Sequence, residues 1–160
     1  KVIPFMQEFN QENLQVRNLV AGTYTLKIDG QKIGEWAAGD FEKGINLAAH
    51  MNTPQYQQAA VIRDLNQERM EIERRFRQYN WMEFDVLREK GLLRKHNQQA
   101  LDTVMAQINS GFVRGNFENW NKARNTAIRE AWTAQINVLV DKIYAINKPV
   151  KRRITIESVQ

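Results

Sequence analysis

Cysteine is absent from all 160 residues. That removes disulfides, thiolate metal sites and cysteine nucleophiles together, and it suits an oxidising and a reducing compartment equally. Serine is nearly as scarce, with only Ser110 and Ser158. No Gly-x-Ser-x-Gly occurs. Histidine is limited to His50 and His96, and neither has a second His or a carboxylate at helical ligand spacing. A zinc site needs three or four such groups, so no metal and no cofactor is expected. No apolar run approaches the roughly 20 residues that span a bilayer. The opening Lys1-Val-Ile-Pro-Phe5 lacks the basic and long apolar regions of a signal peptide. An initiator Met is missing as well, so the chain is expected to begin after a cut, after processing or within a cloned fragment.

What remains is ordinary in composition. Hydrophobic residues make up 42% and charged residues 26%, with a mean hydropathy of -0.59. The length suits one domain with a real core. Twenty-three basic residues against 18 acidic ones give a net charge of +5. The basic residues do not form a block. Lys151-Arg152-Arg153 is the densest group, and it reads as charge protecting an edge strand. No nucleic-acid recognition motif accompanies it.

The first third reads as strands. Leu14 to Leu19 alternates apolar and polar residues, Thr23 to Ile28 alternates again, and Asp29-Gly30 is a two-residue hairpin signal before the return strand Gln31 to Trp36. A short antiparallel β-meander over about 14–36 is therefore expected. Ala38 to Lys43 reads as a helical turn stopped by Gly44. Thr53-Pro54 then opens a long helix, with Thr as cap and Pro preset for the first turn. It runs to about Lys90, with Leu65, Ile72, Tyr79 and Val86 at sevenfold spacing and Ile62 and Phe76 beside them. A shorter helix is expected over about 97–108, stopped at Asn109-Ser-Gly111. The last helix is expected over about 116–147, with Ile128, Trp132, Ile136, Leu139, Ile143 and Ile146 as its apolar face. A terminal strand over about 151–157 closes the chain. The fold class is α+β, a β-meander beside a long antiparallel helical hairpin (about 54–90 and 116–147), as the C-terminal part of a larger α/β hydrolase. Within a single segment, 1–160, residues 1–48 are strand-rich, 49–148 helical and 149–160 the terminal strand.

Few residues offer chemistry. Ser110 sits in a turn-forming Asn-Ser-Gly, and Ser158 stands two residues from the end, so local structural roles are expected for both. Glu68, Glu71 and Glu73, interleaved with Arg69, Arg74, Arg75 and Arg77, read as a solvated face held by i, i+4 pairs. Trp81 and Trp120 sit beside asparagines. Such rings stack on sugars or pack amphipathically with the indole N–H satisfied. Trp132 lies on the apolar stripe and is expected in the core.

Three stretches in order carry a resemblance: Leu19 to Gly34 with its Ile-Asp-Gly turn, Phe41-Glu-Lys-Gly-Ile-Asn-Leu-Ala48, and Thr53-Pro-Gln-Tyr-Gln-Gln-Ala59. Together they resemble the C-terminal region of bacterial hydrolases of the SGNH/GDSL type. Ile3-Pro-Phe5 and the closing Lys151 to Val159 also suit that region. The resemblance implies an esterase or acylhydrolase parent acting on acyl or acetyl esters of carbohydrates or cell-envelope polymers, and it implies export to the periplasm or beyond. The family's catalytic blocks have no counterpart. Gly39-Asp40 is followed by Phe41 rather than Ser, and Leu47 and Leu93 stand where an Asp would precede His50 and His96. No catalytic residue is expected in this chain, which is expected to be inactive alone. Its implied partner is the preceding catalytic domain of the same protein, with Asn46, Trp81 and Trp120 as candidate substrate contacts. A helical interaction module without activity is the alternative, and a basic nucleic-acid binder a further one.

Overall fold

A computed structural model describes residues 3–159. The chain divides into two compact units: residues 1–62 with 146–160, and residues 63–145. The described residues near both ends therefore belong to the first unit. The boundary falls inside the long helix, and Gln58 in its second turn donates to the carbonyls of Ile146 and Lys148, at 2.7 and 2.9 Å.

The first unit contains helix α1 (Phe5–Glu8), strands β1 (Asn13–Leu14), β2 (Thr23–Ile28) and β3 (Gln31–Ala37), helix α2 (Ala38–Lys43) and strand β4 (Ile45–Asn46). The first turns of helix α3 (Pro54–Trp81) and strand β5 (Ile154–Ser158) complete it. Strands β2 and β3 form the expected hairpin, and Asp29 (φ 50°) and Gly30 (φ 84°) both take the positive φ of a type I′ turn. The third strand of the sheet is not the expected one. The order is β3-β2-β5, all antiparallel, so the terminal strand takes the free edge of β2. The segment around Leu14 to Leu19 contributes only a two-residue pairing of β1 with β4. Its alternation is real, since Leu14, Val16 and Leu19 pack against the core of this unit. The backbone leaves the extended region at Asn18 (φ 64°), however, and alternation reports which side chains point inward, not which ladder they join.

The Asp29 turn also recruits β5. The Asp29 carboxylate accepts a hydrogen bond from the Arg153 backbone N–H at 2.8 Å and another from Arg152 Nη1 at 3.0 Å. These bonds, the backbone one first, hold its carboxyl below the usual range. The basic cluster expected only to shield an edge therefore also anchors the strand. The core below comprises Leu26, Ile28, Ile33, Phe41, Ile45 and Leu47. Trp36 lies across Gly34 on the same strand face, where an added Cβ would sit 2.5 Å from the ring.

In the second unit, α3 continues from Arg63 and passes at Trp81 into a π-helical segment, Met82–Leu87, and a 3₁₀ turn, Arg88–Lys90. Gly91 (φ 68°) ends the run where the sequence predicts. Thr53 caps its start as expected, its Oγ1 accepting from Tyr56 N at 3.3 Å. Helix α4 (Gln98–Met105) is capped by Asn97, whose side chain accepts from Ala100 N at 3.0 Å. The expected last helix over 116–147 is in fact two, α5 (Gly111–Ala123) and α6 (Thr126–Ile146). Asn109-Ser-Gly ends one helix but also starts the next, with Arg114 N donating to Ser110 O. The break at Arg124-Asn125 is made by side chains: Asn125 Oδ1 accepts from Ala127 N at 2.9 Å, and Arg129 bonds the Ala123 carbonyl.

Helices α3 and α6 pack as the expected antiparallel pair, with Phe76 edge-on to Trp132 at 5.5 Å and Ile72 facing Leu139. Ile72, Tyr79, Val86 and Trp132 are buried, while Ile62 and Leu65 are half-buried. The mixed-charge face of α3 is solvated and paired, through Arg69–Glu73 and through Arg74–Glu71 at 2.9 Å. Among the described residues no helix is long and apolar enough to cross a membrane.

Candidate functional site: a polar cluster around Glu83 and His96

One carboxylate in the second unit is completely enclosed. Glu83, in the π-helical segment, has no exposed surface. Burying such a group is costly unless each of its oxygens is hydrogen-bonded. Oε1 accepts from the indole Nε1 of Trp120 on α5 at 2.9 Å, and Oε2 accepts from the backbone N–H of Arg94. Arg94 presents that N–H from a left-handed conformation (φ 56°) in the turn after Gly91. π-helical turns recur at functional sites, and this one places Met82, Glu83, Val86 and Leu87 inside together.

Tyr79 lies one helical turn before Glu83, and its hydroxyl is 2.8 Å from His96 Nε2. The same nitrogen is 3.8 Å from Glu83 Oε1. Burial, first of all, lowers the His96 pKa from the usual 6.5; Glu83 opposes the shift, and Arg129, Arg124 and Arg94 reinforce it. Burial likewise raises the Tyr79 phenol above 10, with Glu83 adding to the effect. Arg124 lies over the Trp120 ring at 5.3 Å and donates to the carbonyls of His96 and Asn97. Arg129 lies over the Tyr79 ring at 5.5 Å. Phe76, Tyr79, Asn80, Arg94, His96 and Arg129 line a cavity of about 380 Å³ beside this network.

The arrangement does not supply nucleophilic catalysis. In a catalytic triad the acid bonds one imidazole nitrogen and the nucleophile the other. Here Tyr79 and Glu83 both approach Nε2, and the raised phenol pKa disfavours a phenolate. Ser110 lies exposed at the start of α5 and makes no side-chain cap bond, and Ser158 lies exposed on β5. The cluster is suited to fixing the turn at Arg94.

The residues singled out from sequence fall in different places. Trp120 is fully buried, with its N–H on Glu83, so it has no face to offer a sugar. This is the amphipathic packing, with the indole N–H satisfied, that stood as one option at the sequence level. Asn46 belongs to the other unit and ties backbone together. Its Oδ1 accepts from Glu12 N and Ala48 N, and its Nδ2 donates to the carbonyls of Met6 and Asn10. Every polar atom of its side chain is thus engaged within the chain. Trp81 alone is open, 46% exposed at the end of α3, beside the partly exposed Phe84. Sequence reading passed over Glu83 and Arg94, and placed Tyr79 on the apolar stripe without a polar partner. The Tyr79–Glu83 spacing of one helical turn is visible in the chain, but the approach of His96, Arg94 and Trp120 depends on tertiary structure.

Residues 60–148 match the family model of the diltiazem deacetylase C-terminal helical domain. The chain belongs to this family. It is also similar to a solved structure described as a gut microbial diltiazem-metabolizing enzyme, with 43% sequence identity and a TM-score of 0.92 over 98% of this chain. The chain spans only 36% of the length of that enzyme. No curated protein matches it. The matched residues include all those of the Glu83–His96 network.

Proposed function

We propose that this chain is the non-catalytic C-terminal domain of an ester hydrolase of the SGNH/GDSL type, with the catalytic Ser and His supplied by other residues of the same protein. One observation carries the reading: 98% of the chain is similar, at 43% identity, to about a third of a diltiazem-metabolizing enzyme. A deacetylase removes acetyl groups, the reaction class that the three sequence stretches imply. Carbohydrate or cell-envelope esters are the proposed natural substrates. In this role residues 1–160 act as one accessory domain next to the catalytic domain. Trp81 and its neighbour Phe84 are the exposed aromatic pair available to guide a bulky substrate. Assay of the isolated chain against a chromogenic acetyl ester tests the reading. No turnover above background is expected, whereas a longer protein carrying the catalytic residues hydrolyses the ester and loses more than half its turnover of large substrates on Trp81→Ala. Turnover by the isolated chain would overturn the assignment.

A second reading, a helical interaction module without activity, is favoured by the apolar groove between α3 and α6. It is lined by Ile72, Ala134, Val138 and Leu139, and Val138 is 67% exposed. A longer protein that binds a partner yet cleaves no ester would select this reading.

A further inference from the structure

The cavity beside the Glu83 network has a surplus of positive charge and an aromatic wall. Arg94 and Arg129 both line it, and among the described residues neither guanidinium forms an ion pair. A guanidinium has five N–H donors. Arg129 spends two hydrogen bonds, on the Ala123 carbonyl and on Thr126 Oγ1 at 2.9 Å, and its plane is steadied over Tyr79. The side chain of Arg94 is exposed, while its backbone is fixed by Glu83. The Glu83 carboxylate is enclosed and already bonded to Trp120 and to the Arg94 backbone. It helps to hold the turn that presents Arg94 and does not neutralise either guanidinium by contact. Phe76 and Tyr79 supply the apolar side, and His96 and Asn80 supply polar atoms that can bond a ligand oxygen.

We infer that this cavity is a binding site for a small organic carboxylate, with Arg94 and Arg129 on the carboxylate group and Phe76 and Tyr79 against its apolar body. A volume of about 380 Å³ is at the small end of the range for small-molecule sites and suits a single ring or short acyl chain. Two guanidiniums converging on one carboxylate make charge-assisted hydrogen bonds, roughly twice as strong as neutral ones. The aromatic wall distinguishes this site from one for a bare inorganic anion, which would gain nothing from Phe76. The assignment does not depend on the hydrolase reading.

Benzoate is the probe, with benzamide as its uncharged counterpart and inorganic phosphate as the anion without a ring. The chain has two histidines, His50 and His96. In a titration of the 160-residue chain followed by imidazole NMR signals, benzoate is expected to shift His96 saturably and leave His50 unmoved. Benzamide and phosphate are each expected to bind at least tenfold more weakly. Arg94→Gln removes an exposed side chain with no bond in the fold, and it is expected to weaken benzoate about tenfold with an unchanged melting temperature. No saturable shift of His96 up to the solubility of benzoate would overturn the assignment. So would equal binding of benzamide, equal binding of phosphate, or full affinity in a folded Arg94→Gln chain.

Discussion

The two units of this chain hold themselves together differently. In the first, six apolar side chains from Leu26 to Leu47 fill the core, and the polar bonds that fix its register lie near the surface. Examples are Asp29 to Arg152 and Lys27 to Glu157 at 2.6 Å. In the second, Glu83, Gln78 and Asn116 are buried among apolar neighbours. Gln78 donates to the Gly115 carbonyl and accepts from Asn119 Nδ2 at 2.6 Å, which fixes α3 against α5. Apolar helix stripes can slide by a turn at modest cost, whereas a buried carboxylate that must meet one indole and one backbone N–H tolerates a single register. A sheet obtains its register from its ladder and turns; a helical domain without such a ladder gains it from buried polar pairs.

The largest test of this contrast is Glu83→Ala. Losing the acceptor leaves the Trp120 and Arg94 N–H groups buried and unbonded and opens a cavity, so a loss of about 4 kcal/mol is expected in urea denaturation. A loss below about 1 kcal/mol would show that the apolar stripe alone sets the packing. Ile72→Asp, which buries an unpaired charge on that stripe, is expected to cost several kcal/mol. Leu26→Ala is the counterpart in the first unit, with about 3 kcal/mol expected from lost burial and the cavity left behind. Hydrogen exchange sharpens the comparison: Leu26→Ala should lower protection chiefly in β2, β3 and β5, and Glu83→Ala chiefly in α4 and α5.

A smaller effect follows pH. The unfolded chain takes a proton on His96 near 6.5, while the folded protein resists it because the ring is partly buried and faces three arginines. Stability is therefore complete above about pH 6.5 and falls as pH drops through the lower folded-state pKa. Asp29, Glu35 and Glu118 have lowered pKa values, so their contribution is present above their usual 3.8 to 4.5 and is lost only in more acid solution. The interval just below pH 6.5 thus belongs to His96, and His96→Gln should flatten the fall in melting temperature there. The smallest change is Glu71→Ala on the solvated face of α3, for which about 0.5 kcal/mol or less is expected.

How legible each unit was follows from where its information lies. The Asp29-Gly30 turn, the Thr53-Pro54 start and the Gly91 stop are local chemistry, and all three stand where the sequence places them. The stripe through Ile72, Tyr79 and Val86 is periodic and equally readable. The pairing of β5 with β2 was not readable, because it joins residues about 130 positions apart and any edge strand would have satisfied the pattern. The break between α5 and α6 was missed because Asn125 looks like a tolerated residue inside a good helical pattern, and only its capped Ala127 N–H reveals the new start. The Glu83 site was hidden for a similar reason. In Trp-Met-Glu-Phe-Asp-Val-Leu a glutamate reads as solvent-facing, and its burial is decided by an indole 37 residues away.

The claim on which the functional account rests is that no complete hydrolytic site assembles within these residues. Intact-mass analysis of the isolated chain after exposure to a serine-directed phosphonate tests it most directly. The account predicts an unmodified mass at any reasonable excess of reagent. Stoichiometric addition at Ser110, abolished by replacing His96 or His50, would contradict it.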